Sequence, residues 1–122
     1  MKTILVIDDD EQIRKMLDKF LSSKGFQVIC AENGVQGLEK LFQDNIDLVM
    51  TDIVMPDAEG VEVILAIRET DRELPVIAMS GGNFGNAESY LGMAGKLGAN
   101  AVLRKPFALE DVVKKITLLL TQ

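Results

Sequence analysis

Residues 1–26, MKTILVIDDDEQIRKMLDKFLSSKGF, decide the fold. A short apolar run, Thr3–Ile7, ends in three consecutive carboxylates, Asp8, Asp9 and Asp10. A helical period follows at once. Ile13, Met16, Leu17, Phe20 and Leu21 recur at i, i+3, i+4 and i+7, which predicts a helix from Glu11 to Lys24 with Gly25 as its stop. A strand feeding an amphipathic helix is the opening of a βαβ unit.

The pattern repeats to the end of the chain. Further strands are predicted at Phe26–Cys30, Asp47–Thr51, Val76–Met79 and Ala101–Leu103. The first, third and fourth strands are nearly continuous in Ile, Leu, Val and Met, as expected of strands covered on both faces. Leu38, Leu41 and Phe42 mark a second helix, and Val61, Ile64, Leu65 and Ile67 a third. The fourth, between Asn86 and Leu97, has the weakest signal because Gly92 and Gly95 lower its propensity. The fifth runs from Leu109 to Leu120, with Leu109, Val112, Val113, Ile116, Leu119 and Leu120 inward and Glu110 and Asp111 in its first turn. Five strands and five helices without linker, repeat or low-complexity segment predict one domain over residues 1–122. The expected class is α/β: a flavodoxin-like (βα)5 three-layer sandwich with parallel sheet order 2-1-3-4-5.

Composition narrows the function. The 122 residues are 48% hydrophobic and 26% charged, ordinary for a globular domain with a real core. A net charge of -6 and a pI near 4.6 argue against a nucleic-acid surface, and Lys114–Lys115 is only a pair on a late helix. The single cysteine, Cys30, reads as a small core residue in a reducing cytoplasm. No apolar run approaches the ~20 residues of a membrane span, and no signal-peptide pattern opens the chain. With no histidine, the triads and metal sites that need one are excluded.

Ligands of an open parallel sheet bind beyond the carboxyl ends of the strands, where the strand order reverses. Four strands deliver chemistry to that edge: Asp8, Asp9 and Asp10 after the first, Asp52 after the third, Ser80 at the end of the fourth and Lys105 after the fifth. Carboxylates this close disfavour joint ionisation unless a cation joins them, and an all-oxygen pocket suits Mg2+. Asp10 reads better as the N-cap of the first helix. Asp52 lies in LVMTDIVMPDAEG, where Pro56 and Gly60 shape the next loop. Beside Mg2+, its carboxylate can serve as a ligand or as a nucleophile toward phosphorus. Ser80 can donate to one phosphoryl oxygen and Lys105 can neutralise another. Taken alone, Ser80 is an ordinary strand-end hydroxyl and Lys105 a solvated cation. Together they outline a phosphoryl site with Asp52 as acceptor.

At this point the sequence resembles the receiver (response regulatory) domain of two-component signalling, the chemotaxis-type receiver, over essentially its whole length. The matching segments are ILVIDDD, DLVMTDIVMPDAEG, PVIAMSG and GANAVLRKPF, in order and at suitable spacing. The resemblance implies a signalling switch in which Asp52 accepts a phosphoryl group from a histidine kinase, a phosphotransfer protein or a small phosphodonor. It implies Mg2+ held directly by Asp9 and Asp52, through water by Asp8, and by the backbone carbonyl of Val54. Ser80 and Lys105 would contact the phosphoryl oxygens, and the Lys105–Pro106 bond would be cis. The responding surface would be helix 4, strand 5 and helix 5, with a downstream protein target and, in this family, dimerisation on phosphorylation. Such a domain is cytoplasmic, promotes only its own phosphorylation and dephosphorylation, and contacts neither nucleic acid nor membrane.

Two segments depart from the pattern. Val102 occupies the strand 5 position where an aromatic switch residue is usual, and reads as core packing. The stretch SGGNFGNAESYLGMAGKLGAN is glycine-rich and longer than usual. Gly81, Gly82 and Gly85 suit a remodelling loop better than a phosphate cradle, and Phe84, Tyr90 and Leu91 suit either a partner patch or ordinary packing. Val54 and Gly82 would bear on how long the acyl phosphate survives. One alternative is the N-terminal receiver of a larger DNA-binding regulator or hybrid kinase, although a chain without a second domain favours a stand-alone receiver. More remote are a flavin carrier, whose phosphate loop IDDDEQ would repel, and a Mg2+-dependent aspartate phosphatase, whose Asp-x-Asp-x-Thr pattern fails at Glu11 and Gln12.

Overall fold

The computed structural model describes residues 1–53, 59–71, 73–81, 95–96 and 98–121. All five predicted strands form: β1 (Thr3–Ile7), β2 (Gln27–Ala31), β3 (Leu48–Asp52), β4 (Val76–Gly81) and β5 (Ala101–Lys105). They are joined by α1 (Glu11–Ser23), α2 (Gly34–Gln43) and α3 (Glu59–Thr70), and α4 (Leu109–Leu120) follows β5 as the fifth helix expected from sequence. The fourth expected helix lies outside the described residues, apart from Gly95 and Lys96, which are helical. Every strand pairing is parallel, in the order β2-β1-β3-β4-β5. This is the doubly wound arrangement expected, and it places the order reversal between β1 and β3.

Strand alternation divides the core in two. Leu5, Ile7, Val49, Val76 and Ala78 point to one face and meet Val63, Ile64 and Ile67 of α3. Ile4, Val6, Leu48, Met50, Ile77, Met79 and Leu103 point to the other and meet Leu17 and Leu21 of α1 with Val112 and Ile116 of α4. Both faces of the central strands are covered, so all five residues of β1 and of β3 are buried.

The strand ends differ slightly from expectation, and the difference matters for the site. Asp52 and Lys105 are the last residues of β3 and β5 rather than one and two residues beyond them, and Ser80 is next to last in β4. The apolar run stops before the backbone ladder does, because the ladder depends on N–H and C=O groups and not on side-chain hydropathy. Helix faces differ too. Met16, Phe42 and Leu65 are exposed, while Val63 is buried. The inward stripe of α3 is 63, 64 and 67, and Leu65 falls about 100° from Ile64 on the helical wheel. Val102, expected as packing, is 37% exposed. β5 is an edge strand whose Leu103 faces α1 and α4, so alternation turns Val102 away from them.

Capping follows the sequence. Asp10 accepts the Gln12 N–H at 2.9 Å as N-cap of α1, and Gly25 ends that helix at φ +93°. At the edge of the sheet away from the carboxyl ends, Arg68 ties three segments together. Its Nε donates to the Gly98 carbonyl (2.9 Å), Nη1 to the carbonyls of Asp71 (3.0 Å) and Leu74 (2.8 Å), and Nη2 to Asn100 Oδ1 (2.7 Å).

Candidate phosphoryl and metal site

The same alternation that builds the α1/α4 core builds the site. Ile4 and Val6 lead on to Asp8, Leu48 and Met50 to Asp52, and Leu103 to Lys105. Each apolar row therefore ends, at the carboxyl edge, in an ionisable residue on one face. The Asp8 N–H still bonds to the Ala31 carbonyl at 3.1 Å, so Asp8 extends the β1 ladder.

Lys105 closes the cluster. Its Nζ lies 2.7 Å from Asp8 Oδ2 and 2.8 Å from Asp52 Oδ2. Asp8 is fully buried and Asp52 is only 4% exposed. Burial pushes the Asp8 carboxyl above its ordinary range, although the Lys105 ammonium and the Asp10 N–H pull the other way. Burial also works against the Lys105 charge, but its hydrogen bonds to Asp52 and Asp8 outweigh that and hold its pKa above the ordinary lysine value. One half-buried cation thus faces two buried carboxylates. Asp9 adds a third carboxylate from an exposed position, and Asp8, Asp9 and Asp52 each offer an oxygen within 4.8 Å of the others.

The other expected residues fall as follows. Asp10 is turned away into its capping bond, as its sequence context suggested. Ser80 is fully buried on β4, one residue beyond Met79, the partner of Asp52, and among the described residues its hydroxyl has no hydrogen-bond partner. A buried hydroxyl without a partner is a costly feature that calls for an explanation. The Lys105–Pro106 peptide is cis. Val54, Pro56, Gly82, Phe84, Gly85, Tyr90 and Leu91 lie outside the described residues. Sequence reasoning passed over Arg14, whose Nη1 donates to the Asp8 carbonyl at 2.8 Å. Its signal was faint: an arginine in the second turn of the helix that follows the carboxylates.

A family model described as the response regulator receiver domain matches residues 4–117. The chain belongs to the response regulator receiver family. This receiver is 36% identical over 117 residues to the response regulator MprA of Mycobacterium leprae, covering 96% of this chain and 50% of the relative. It therefore spans about half the length of the curated relatives it matches. Among solved structures, a response regulator receiver domain protein of Clostridium thermocellum superposes with a TM-score of 0.90 at 29% identity, covering 99% of this chain and 95% of that one. The response regulator protein TrrA of Thermotoga maritima, solved in complex with Mg2+ and BeF, has a TM-score of 0.84 at 33% identity, covering 98% and 99% of the two chains.

The receiver's own residues fit a hard divalent cation. Three carboxylates converge and the donor set is all oxygen. Charge points the same way: among the described residues, two buried carboxylates share one ammonium.

Proposed function

We propose that this receiver is a phosphorylation-driven switch in which Asp52 is the phosphoryl acceptor. The observation that carries this reading is the shared lysine: Asp52 and Asp8, both buried, accept from the same Lys105 ammonium. Asp52 sits at the end of a rigid, fully buried strand, which fixes its direction of approach. In the proposed step, an Asp52 carboxylate oxygen forms a bond to phosphorus as the bond from phosphorus to the donor breaks. The electron pair leaves on the donor atom, a phosphohistidine nitrogen of a histidine kinase or phosphotransfer protein, or an acetyl phosphate oxygen.

Lys105 is placed to shift from Asp52 Oδ2 to a new phosphoryl oxygen, and the unpartnered Ser80 hydroxyl supplies a donor for another. Asp8, Asp9 and Asp52, with the Val54 carbonyl, are the proposed Mg2+ ligands. Bound there, Mg2+ supplies charge neutralisation for the phosphoryl oxygens. On this reading the chain promotes only its own phosphorylation and dephosphorylation and turns over no separate substrate.

Phosphorylation adds up to about two negative charges and three acceptor oxygens at Asp52. Movement of Lys105 toward them acts on β5 and the adjoining loops, biasing one of two surface arrangements. The proposed output is altered protein contact at the surface of the fourth expected helix, β5 and α4, including phosphorylation-dependent pairing of two copies. Exposed Val102 and Leu118 support an apolar contact there. A second reading, the receiver of a longer regulator, stands beside it because the curated relatives are about twice the length of the match. A cytoplasmic location follows from the proposed kinase partner.

Intact mass after incubation with acetyl phosphate, in Mg2+ or EDTA, tests the acceptor. The expected result is one phosphoryl adduct that requires Mg2+ and is absent from Asp52→Ala. Beryllofluoride binding covers a short-lived adduct; no response to either reagent overturns the proposal.

A further inference from the structure

We infer that Arg14 is a positioning residue for the Mg2+ site, acting through the backbone on either side of Asp9. This inference rests on the reading of the acidic cluster as a Mg2+ site.

Asp8 and Asp9 are neighbours with opposite fates. Asp8 is held at four points: its N–H to Ala31 (3.1 Å), its carbonyl from Arg14 (2.8 Å), Oδ1 from the Asp10 N–H (2.9 Å) and Oδ2 from Lys105 (2.7 Å). Asp9 is exposed, and among the described residues no hydrogen bond holds its carboxylate. The direction of its Cα–Cβ bond, from which the carboxylate reaches the site, is set by its own φ and ψ, which means by the peptide planes on either side. The 9–10 plane is tied by the Asp10 N–H to Asp8 Oδ1, a bond within the loop. The 8–9 plane is tied through the Asp8 carbonyl to Arg14, a half-buried side chain anchored on α1. Arg14 is thus the side chain that ties the 8–9 plane directly to α1, alongside the β1 ladder and Lys105, which hold Asp8, and the cap bond, which holds Asp10. Outer groups that orient metal ligands in this way commonly change affinity by 10–100-fold when removed.

The alternative is that Arg14 acts only as a charge, and the two roles have opposite signs. A guanidinium on the loop of an acidic cation site repels Mg2+, so removing a mere charge strengthens binding. Removing a positioning group weakens it.

The test is calorimetric titration of the metal-free protein with Mg2+, for wild type, Arg14→Met, Arg14→Lys, Asp9→Asn and the Asp9→Asn/Arg14→Met double variant. Arg14→Met is expected to weaken Mg2+ about tenfold, and Arg14→Lys, which keeps one donor, to recover most of that. In the Asp9→Asn background, Arg14→Met is expected to add little, because the ligand it positions is gone. Unchanged or tighter binding in Arg14→Met overturns the inference, as does an equal loss with and without the Asp9 carboxylate. Thermal melts in EDTA separate a structural role, which lowers Tm without moving Mg2+ affinity. If wild type itself binds no Mg2+, the reading of the site fails and takes the inference with it; wild-type binding with unresponsive Arg14 variants sinks the inference alone.

Discussion

Lys105 and Arg68 are both partly buried cations, at opposite edges of one sheet, and their surroundings differ in kind. Lys105 faces two buried carboxylates, with a third close by and an unpartnered hydroxyl on the next strand but one from β1. Arg68 faces three carbonyls and an amide oxygen, all neutral. The pKa directions record the contrast. Burial opposes both charges, but carboxylate partners carry Lys105 upward, whereas at Arg68 burial prevails over the attraction of Asp71 and the value falls. The Arg68 cluster is complete: its donors meet acceptors that were already fixed by the backbone. Among the described residues, the Lys105 cluster gathers three carboxylates around one ammonium, a composition suited to taking in a cation or changing its charge.

The largest way to break this contrast is Lys105→Met. It leaves Asp8 and Asp52 buried without their cation, and stability in EDTA is expected to fall by about 3 kcal/mol, or ~10 °C in Tm. Mg2+ is expected to restore part of that loss, because it replaces the missing charge; an identical loss in Mg2+ would place the carboxylates outside any metal site. Arg68→Ala is expected to lose about 2 kcal/mol by melting, equally in Mg2+ and EDTA, with phosphoryl labelling intact. Altered labelling in this variant would show that the two edges are coupled.

Gly98→Ala sharpens the same point more gently. Gly98 has φ +121°, and an added Cβ would lie 2.8 Å from Arg68 Cγ. A loss of about 1–2 kcal/mol is expected, part of it relieved in an Arg68→Ala background, as a double-mutant cycle of melts would reveal. The smallest effect is a gain. Burial raises the Asp8 pKa above 3.8, so its contribution to stability is complete below pH 3.8 and is lost as pH rises through the folded value. Asp8→Asn lacks that loss. In EDTA at neutral pH it is expected to melt higher than wild type, with the gap closing toward pH 4. A variant that melts lower at pH 7 would mean that the Lys105 pairing outweighs desolvation.

The two clusters were unequally legible. Asp8, Asp9, Asp52, Ser80 and Lys105 could be read because each sits where an apolar run stops, and parallel topology brings such stops to one edge. Asp10 could be separated from its neighbours by the capping position it occupies. Arg14 and Arg68 could not be read, since a helical arginine looks the same in sequence whether it meets solvent or a carbonyl from a distant loop. Val102 misled for a related reason: hydropathy marks a residue as apolar, but only the edge position of β5 says which side of it is covered.

What the sequence by itself determined was periodic and local: five strands with helices between them, the order of the sheet, the cap of the first helix, and the chemical set gathered at the carboxyl edge. Those follow from hydropathy at periods of 2 and 3.6 and from the handedness of crossovers. What only the tertiary structure decided was pairing: that one lysine holds both Asp8 and Asp52, that Ser80 is buried without a partner, and that Arg14 grips the loop carrying Asp9. Such contacts join residues up to 97 positions apart. They are settled by distances of a few tenths of an ångström in a packed interior, which no periodicity along the chain encodes.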